Sequence, residues 1–348
     1  MHGPRKLVLD DVGKVLEIEA FSGEADHFCL SPGLVDIQMN GFAHVDVASA
    51  DEHQLLEMDA ALSMLGTTSW LGTIVTAPLQ VLSSVAARLQ QHFDDGRIRG
   101  FMGVHIEGPF LGRSPGAHRV RDIVSFDTEW IASLPSVVRL MTIAPEQPDA
   151  LAGIEQLVSQ GIVVSLGHCQ PSDKEFDDAV AAGATMATHL FNAMSGVHHR
   201  DEVMALRALT DDRIQVGLIA DLVHVQPRAV TLAFRAKGDT NVCLVSDSVG
   251  WLSPAMANQG ITVTDAVRLA NGTLAGSSTP LSECVRNVVY SCGVSLERAL
   301  RAATSSPADV IGSPTVGRVR EGLPCDLVAW DSSLTVVDTW RRLPSVGA

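Results

Sequence analysis

Three residues able to bind a cation stand in the same kind of place along the chain. Glu107 closes the apolar run Val104-His105-Ile106-Glu107 just before Gly108-Pro109. His168 closes Ile162-Val163-Val164-Ser165-Leu166-Gly167-His168, and His189 closes Ala184-Thr185-Met186-Ala187-Thr188-His189. Gly108-Pro109 stops a strand-like run, so Glu107 is expected at a strand's carboxyl end rather than inside a core. One Glu and two His match the donor set of a catalytic zinc or similar divalent ion with a position left open for water. For any single histidine a satisfied core position is the competing reading; three such residues ending three runs favour the metal. Asp247, in Leu244-Val245-Ser246-Asp247-Ser248, ends a fourth run. It is either a helix N-cap or, beside a water at the ion, a general base that takes a proton and returns it to a leaving group.

Weaker signals surround these. His224, in Ala220-Asp221-Leu222-Val223-His224-Val225, is a surface loop residue or a donor to a substrate oxygen, and His118, in Gly116-Ala117-His118, says less still. His198-His199-Arg200 puts positive charge on a segment past His189; it is a solvated loop or, in an acidic protein, a local patch for an anionic substrate. The fourth apolar run, Val138-Arg139-Leu140-Met141-Thr142-Ile143, contains no lysine, so a carbamylated lysine bridging two metals at that point is ruled out.

The elements that must position these residues repeat. Eight apolar, strand-like runs fall near residues 34–37, 67–72, 101–106, 139–143, 162–166, 185–188, 215–219 and 242–246. Amphipathic stretches alternate with them: Glu52 to Leu65, Leu79 to Phe93, Asp149 to Gln160, Asp173 to Ala182 and Arg228 to Lys237, several opened by proline or a polar cap. The alternation predicts an α/β fold, a (β/α)₈ TIM-type barrel, with an open doubly wound sheet as competitor. Polar residues decide between them. Gln38, Asn40, Thr76, Glu107, Glu146, His168, His189, Asp221, His224 and Asp247 all follow strand-like runs, and a barrel alone gathers every strand's carboxyl end on one face. Strand-like pieces at Leu7-Val8-Leu9, Val15-Leu16-Glu17-Ile18, Val316 to Val319 and Asp326 to Trp330 lie outside the eight. They predict a small β-sandwich domain built from both termini, with residues 1–30 and 313–348 flanking a barrel of residues 31–312.

Composition sets the bounds. A chain of 348 residues with a formal net charge of -15 does not suit a nucleic-acid backbone as partner. The start lacks the apolar segment of a secretory signal, no stretch reaches membrane-spanning length without a polar break, and the expected location is the cytoplasm. Six cysteines without a C-x-x-C pair predict buried reduced thiols rather than disulfides or a thiolate zinc site.

In this order the motifs resemble the N-acetylglucosamine-6-phosphate deacetylases of the amidohydrolase superfamily. The resemblance covers residues 31 to about 331 and rests on Ser31-Pro32-Gly33-Leu34-Val35-Asp36, His105-Ile106-Glu107-Gly108-Pro109-Phe110, Gly116-Ala117-His118, Gly167-His168, His189-Leu190-Phe191-Asn192-Ala193-Met194, His199-Arg200, Gly217 to Asp221, His224-Val225, Asp247 and Leu274 to Ser277, with Gly322 to Asp331. It implies that Glu107, His168 and His189 hold one divalent ion per subunit, zinc first with iron, manganese or cobalt as alternatives, and that Asp247 is the catalytic acid/base. It further implies that His118 and His224 contact the sugar or its acetamide carbonyl. Asn192 and Ala193 backbone groups would hold the 6-phosphate with Arg200 reaching across from the neighbouring subunit of a homodimer. The implied reaction is hydrolysis of the acetamide of N-acetylglucosamine 6-phosphate. The galactosamine epimer is the alternative substrate, and a non-catalytic sugar-phosphate-binding protein the alternative of another class. Where many amidohydrolases carry His-x-His after the first strand, this chain has Gln38 and Asn40, a replacement that in the family goes with a single ion.

Overall fold

In the computed structural model, which describes residues 4–342 apart from 202 and 265, eight parallel strands form one sheet in chain order. They are β1 (Leu34–Met39), β2 (Thr67–Val75), β3 (Phe101–Glu107), β4 (Val138–Ile143), β5 (Val163–Leu166), β6 (Met186–Ala187), β7 (Gln215–Ile219) and β8 (Val242–Val245). All eight runs expected from the sequence are strands. The first and last meet through a parallel bridge between Met39 and Ser248, with Asn40 N donating to Ser248 O at 2.8 Å and Asp247 N to Gln38 O at 3.0 Å. These bonds bring the sheet round into a barrel.

Strands such as β1 and β8 are buried along their whole length, which is why they read as continuous apolar runs rather than alternating ones. Helices wrap the outside and start where the sequence offers caps. Asp51 and Gln54 form a capping box at Glu52–Met64, Ser172 and Glu175 another at Asp173–Ala181, and Pro227 opens Pro227–Lys237.

The barrel interior is built in tiers set by the two-residue period of the strands. Beneath lies an apolar cluster: Leu71, Leu140 and Met186, with Ile219 and Val245, meet Ala308 and Ile311 from the region of helix Ser305–Val310. Two residues further along three strands, Thr73, Thr142 and Thr188 join His105 and Ser165 in a buried polar tier. Thr73 Oγ1 accepts from Met39 N at 3.0 Å and lies 3.2 Å from His105 Nδ1, while His105 Nε2 is 2.8 Å from Thr142 Oγ1. Thr188 Oγ1 then meets Thr142 Oγ1 at 2.7 Å and Ser165 Oγ at 2.6 Å. The third tier, at the strands' carboxyl ends, holds the residues singled out for chemistry.

The termini form separate antiparallel sheets, as expected. Arg5–Leu9 pairs with Val15–Ala20, and Cys29–Pro32, Leu327–Trp330 and Val336–Trp340 make a three-stranded sheet. Val15, Cys325 and Leu327 join the two through a small apolar core that also takes Val319. Val316 to Val319 is turn and irregular chain rather than the expected strand: Gly317 is left-handed, and Arg318 spends its guanidinium on Ser313 O, Val316 O and Asp309. Residues 1–3 and 343–348, the outer ends of the expected terminal domain, lie outside the described residues.

Candidate metal centre and active site

Glu107 is the last residue of β3, and His168, His189 and Asp247 each stand two residues beyond β5, β6 and β8. The last three have positive φ, 52°, 31° and 48°. Left-handed backbone is uncommon for non-glycine residues and carries a cost. Here it turns the chain sharply off the strand end, so that side chains from distant strands converge.

The convergence is tight. His168 Nε2 and His189 Nε2 each lie 2.9 Å from Glu107 Oε1 and 3.0 Å from one another. All three residues are buried. His168 Nδ1 faces Ser114 O at 3.1 Å, which assigns the proton to Nδ1 and leaves the Nε2 lone pair pointing at Glu107 and His189. A lone pair, a carboxylate oxygen and a second imidazole nitrogen crowded in this way require a shared positive charge. A tetrahedral ion with bonds of about 2.0–2.1 Å sets its ligand atoms about 3.3 Å apart, close to the spacing seen. The donors therefore fit a divalent ion, and the structure contains a metal-binding His/Glu cluster. His118 stands beside it: its Nε2 is 3.9 Å from Glu107 Oε1, and Glu107, His118 and His168 have ligand atoms within 4.8 Å of one another.

Electrostatics follow from the burial. Burial alone would raise the Glu107 carboxyl, but the imidazoles of His118, His168 and His189 around it carry it well below its ordinary value. Burial drives His168 down to about 4, with His118 adding to the shift against the pull of Glu107. Burial also opposes the charged form of His189, yet its bond to Glu107 holds its pKa above the ordinary value. Asp247 is pushed up to about 6, first by burial and next by the charge of Glu107. A carboxyl of that pKa exchanges protons readily near neutrality.

Around this cluster lies a cavity of about 380 Å³, of the size that holds a small molecule. Asn40, Asn192, Ala193, His118 and His224 line it together with Glu107, His168, His189 and Asp247. His118 is oriented by Thr76, whose Oγ1 is 2.9 Å from His118 Nδ1 and donates to Glu107 O at 3.1 Å. His224 is oriented by Asp221: Oδ2 lies 2.6 Å from His224 Nδ1, and Oδ1 accepts from Val223 N and His224 N at 2.9 and 2.8 Å. Nε2 of His224 is thereby left free of that pairing. After β6 the chain is left-handed at His189, Phe191 and Ala193, while Leu190 N and Asn192 N donate to Gly217 O and His189 O at 2.7 and 2.9 Å.

Arg200 is exposed and stands outside the wall of its own chain's cavity, so the structure does not bring it to the other site residues within one chain. Sequence reasoning overlooked two groups. Gln38 and Asn40, noticed as absent ligands, both donate to Asp247, at 3.2 and 2.8 Å. Asp46, also in the cavity wall, was not singled out; its Oδ1 accepts from Ser49 N and Ser49 Oγ at 3.0 and 2.8 Å. A second grouping, Glu52, His92 and Asp95, lies apart from the cavity, and Arg97 already pairs with Glu52 at 2.7 Å.

The sequence matches the amidohydrolase family over residues 29–345, and the chain belongs to that family. It is a metal-binding enzyme of the amidohydrolase fold. It is 34% identical over 339 residues to the N-acetylglucosamine-6-phosphate deacetylase of Bos taurus, covering 89% of this chain and 81% of that protein. To the N-acetylgalactosamine-6-phosphate deacetylase of Shewanella sp. it is 32% identical over 335 residues, with 89% and 81% covered. Among solved structures, the N-acetylglucosamine-6-phosphate deacetylase of Thermotoga maritima aligns with a TM-score of 0.89 at 27% identity, over 97% of this chain and 93% of that one.

Proposed function

We propose that this chain hydrolyses the acetamide of N-acetyl-D-glucosamine 6-phosphate, releasing acetate and D-glucosamine 6-phosphate. The observation that carries the reading is the meeting of Glu107, His168 and His189 within 3.0 Å at the floor of a cavity that Asp247 also lines. Similarity to deacetylases of both epimers supports the reaction class, and the glucosamine substrate is the one that the motif resemblance implies.

Glu107, His168 and His189 would hold one divalent ion, zinc by the character of the donors. When bound, that ion supplies Lewis-acid chemistry, polarising a carbonyl and making water a nucleophile near neutral pH. Asp247 takes the proton of the attacking water and later delivers it to the departing amine nitrogen, a task for which its place beside the cluster suits it. His224, held at Nδ1 by the Asp221 carboxylate, contacts the acetamide oxygen through Nε2, and as an imidazolium it donates there when charge develops. His118, held by Thr76, contacts the sugar. The cavity wall at Asn192 and Ala193 receives the 6-phosphate, completed by Arg200 of the second subunit in a homodimer. All six cysteines are free, which accords with a cytoplasmic enzyme.

The test is acetate release from N-acetylglucosamine, N-acetylgalactosamine and their 6-phosphates, after elemental analysis of the dialysed protein. One ion per chain with strong preference for the glucosamine 6-phosphate is expected. Preference for the galactosamine epimer would transfer the assignment to that substrate. Binding of the phosphates without acetate release, at full metal occupancy, would leave a sugar-phosphate-binding protein.

A further inference from the structure

The two amides at the end of β1 do something more specific than fail to bind a second metal. Asn40 Nδ2 donates to Asp247 Oδ1 at 2.8 Å and Gln38 Nε2 to the same oxygen at 3.2 Å. Both side chains are more than nine-tenths buried, with relative exposures of 8% and 2%. No described residue donates to Asp247 Oδ2. The orientation of Asn40 is fixed by its partner, since the reversed amide would set an oxygen against the carboxylate. Its Oδ1 is left buried without a hydrogen bond, a cost that only the bond on the other side offsets. The backbone enforces the same meeting: Asp247 N donates to Gln38 O at 3.0 Å, Ser277 N donates to Asp247 O at 2.8 Å, and Asp247 sits at φ 48°.

We infer that Gln38 and Asn40 are positioning residues that grip the Asp247 carboxylate by one oxygen and so present the other, Oδ2, to the reacting atoms. The inference deepens the reading given above and rests on it for the role of Asp247. A carboxylate held at Oδ1 by two donors has its second oxygen in one place, so the proton taken from water and the proton returned to the amine pass through a single atom. With their nitrogens turned to Asp247, the amides present donors rather than ligand atoms to its carboxylate. They hold the carboxylate by hydrogen bonds where a cation would hold it by charge.

The experiment compares the parent with Gln38→Met and Asn40→Leu, singly and together, which keep volume and remove the donors. Three readouts are taken: metal per chain, crystal structures of the metal-loaded proteins, and kcat and KM separately. Gln38→Asn, which shortens the arm but keeps its chemistry, guards against a site disturbed by the apolar replacements. One ion per chain is expected throughout. In the pair Asp247 should leave its rotamer or occupy more than one, with kcat falling about 10-fold per lost donor and KM within about twofold. The inference is overturned if the parent crystal shows the amide oxygens turned to a second ion, or if Asp247 keeps its rotamer and kcat when both donors are gone. Should the parent release no acetate from any of the sugars, the deacetylase reading alone fails, and the crystal comparison still decides how Asp247 is held.

Discussion

Replacing Asp247 by asparagine separates chemistry from structure in this site. Asn has the same shape, and its carbonyl oxygen can accept from Gln38 Nε2 and Asn40 Nδ2 as Asp247 Oδ1 does. What it lacks is a proton to take or give, so Asp247→Asn should keep its metal and lose turnover on the order of 10²-fold or more. The same change should stabilise the metal-free protein, by an amount that depends on pH. On folding, the carboxyl rises from its ordinary 3.8 to about 6. For an acid whose pKa is raised, the penalty is absent below the unfolded value, grows between the two, and is complete above the folded value. At about 1.36 kcal/mol per unit, a rise of about two units is worth up to about 3 kcal/mol at pH 8 and roughly half that at pH 5. Because the carboxyl opens partly on the cavity, these figures are upper bounds. The assay is urea unfolding of metal-free parent and Asp247→Asn at both pH values, beside turnover and metal content of the loaded proteins. Near-normal turnover at full occupancy would remove Asp247 from the chemistry. A stability difference that does not grow with pH would show that the carboxylate is not held in the enclosed environment described here.

Two further outcomes are expected. Thr142→Val removes the hydroxyl facing His105 Nε2 and breaks the link to Thr188; leaving a buried imidazole nitrogen unpaired should cost about 1–3 kcal/mol in urea unfolding, and a loss under about 0.5 kcal/mol would show that the polar tier is slack. Arg200→Ala should weaken kcat/KM on the 6-phosphate on the order of 10²-fold and scarcely change activity on the unphosphorylated sugar, while mixing Arg200→Ala with Asp247→Asn chains should restore one site per heterodimer. Equal loss on both substrates, or no restoration after proven chain exchange, would sink the cross-subunit role.

The fold was legible because a parallel barrel buries each strand on both faces, which leaves unbroken apolar runs between amphipathic helices. Val316 to Val319 misled for the same reason in reverse. Two valines around a glycine read as a strand, but the left-handed Gly317 and the inward-turned Arg318 make an irregular segment whose apolar residues still reach a core. Local apolar character records burial; it does not record backbone pairing.

The residues that would hold the ion were legible, and the neutral residues that hold the site's side chains in place were not. Glu107, His168 and His189 announce themselves because a buried ionisable group at a strand end needs a partner. Gln38, Asn40, Thr73, Thr142 and Thr188 carry no such demand in isolation, since an amide or hydroxyl is at home on any surface. Their spacing held one clue: Leu71-x-Thr73, Leu140-x-Thr142 and Met186-x-Thr188 repeat an apolar residue followed two places on by threonine. In a strand that places both on one face, and in a barrel the repeat across strands stacks an apolar tier beneath a polar one. The positive φ at His168, His189 and Asp247 had no such trace, because L-residues with bulky side chains rarely adopt it and nothing in their identity asks for it. That backbone is imposed from outside. At Asp247 the bond to Gln38 that closes the barrel, with the bond from Ser277, fixes the turn, so the residue expected to move protons is aimed by backbone pairing before any side chain contributes.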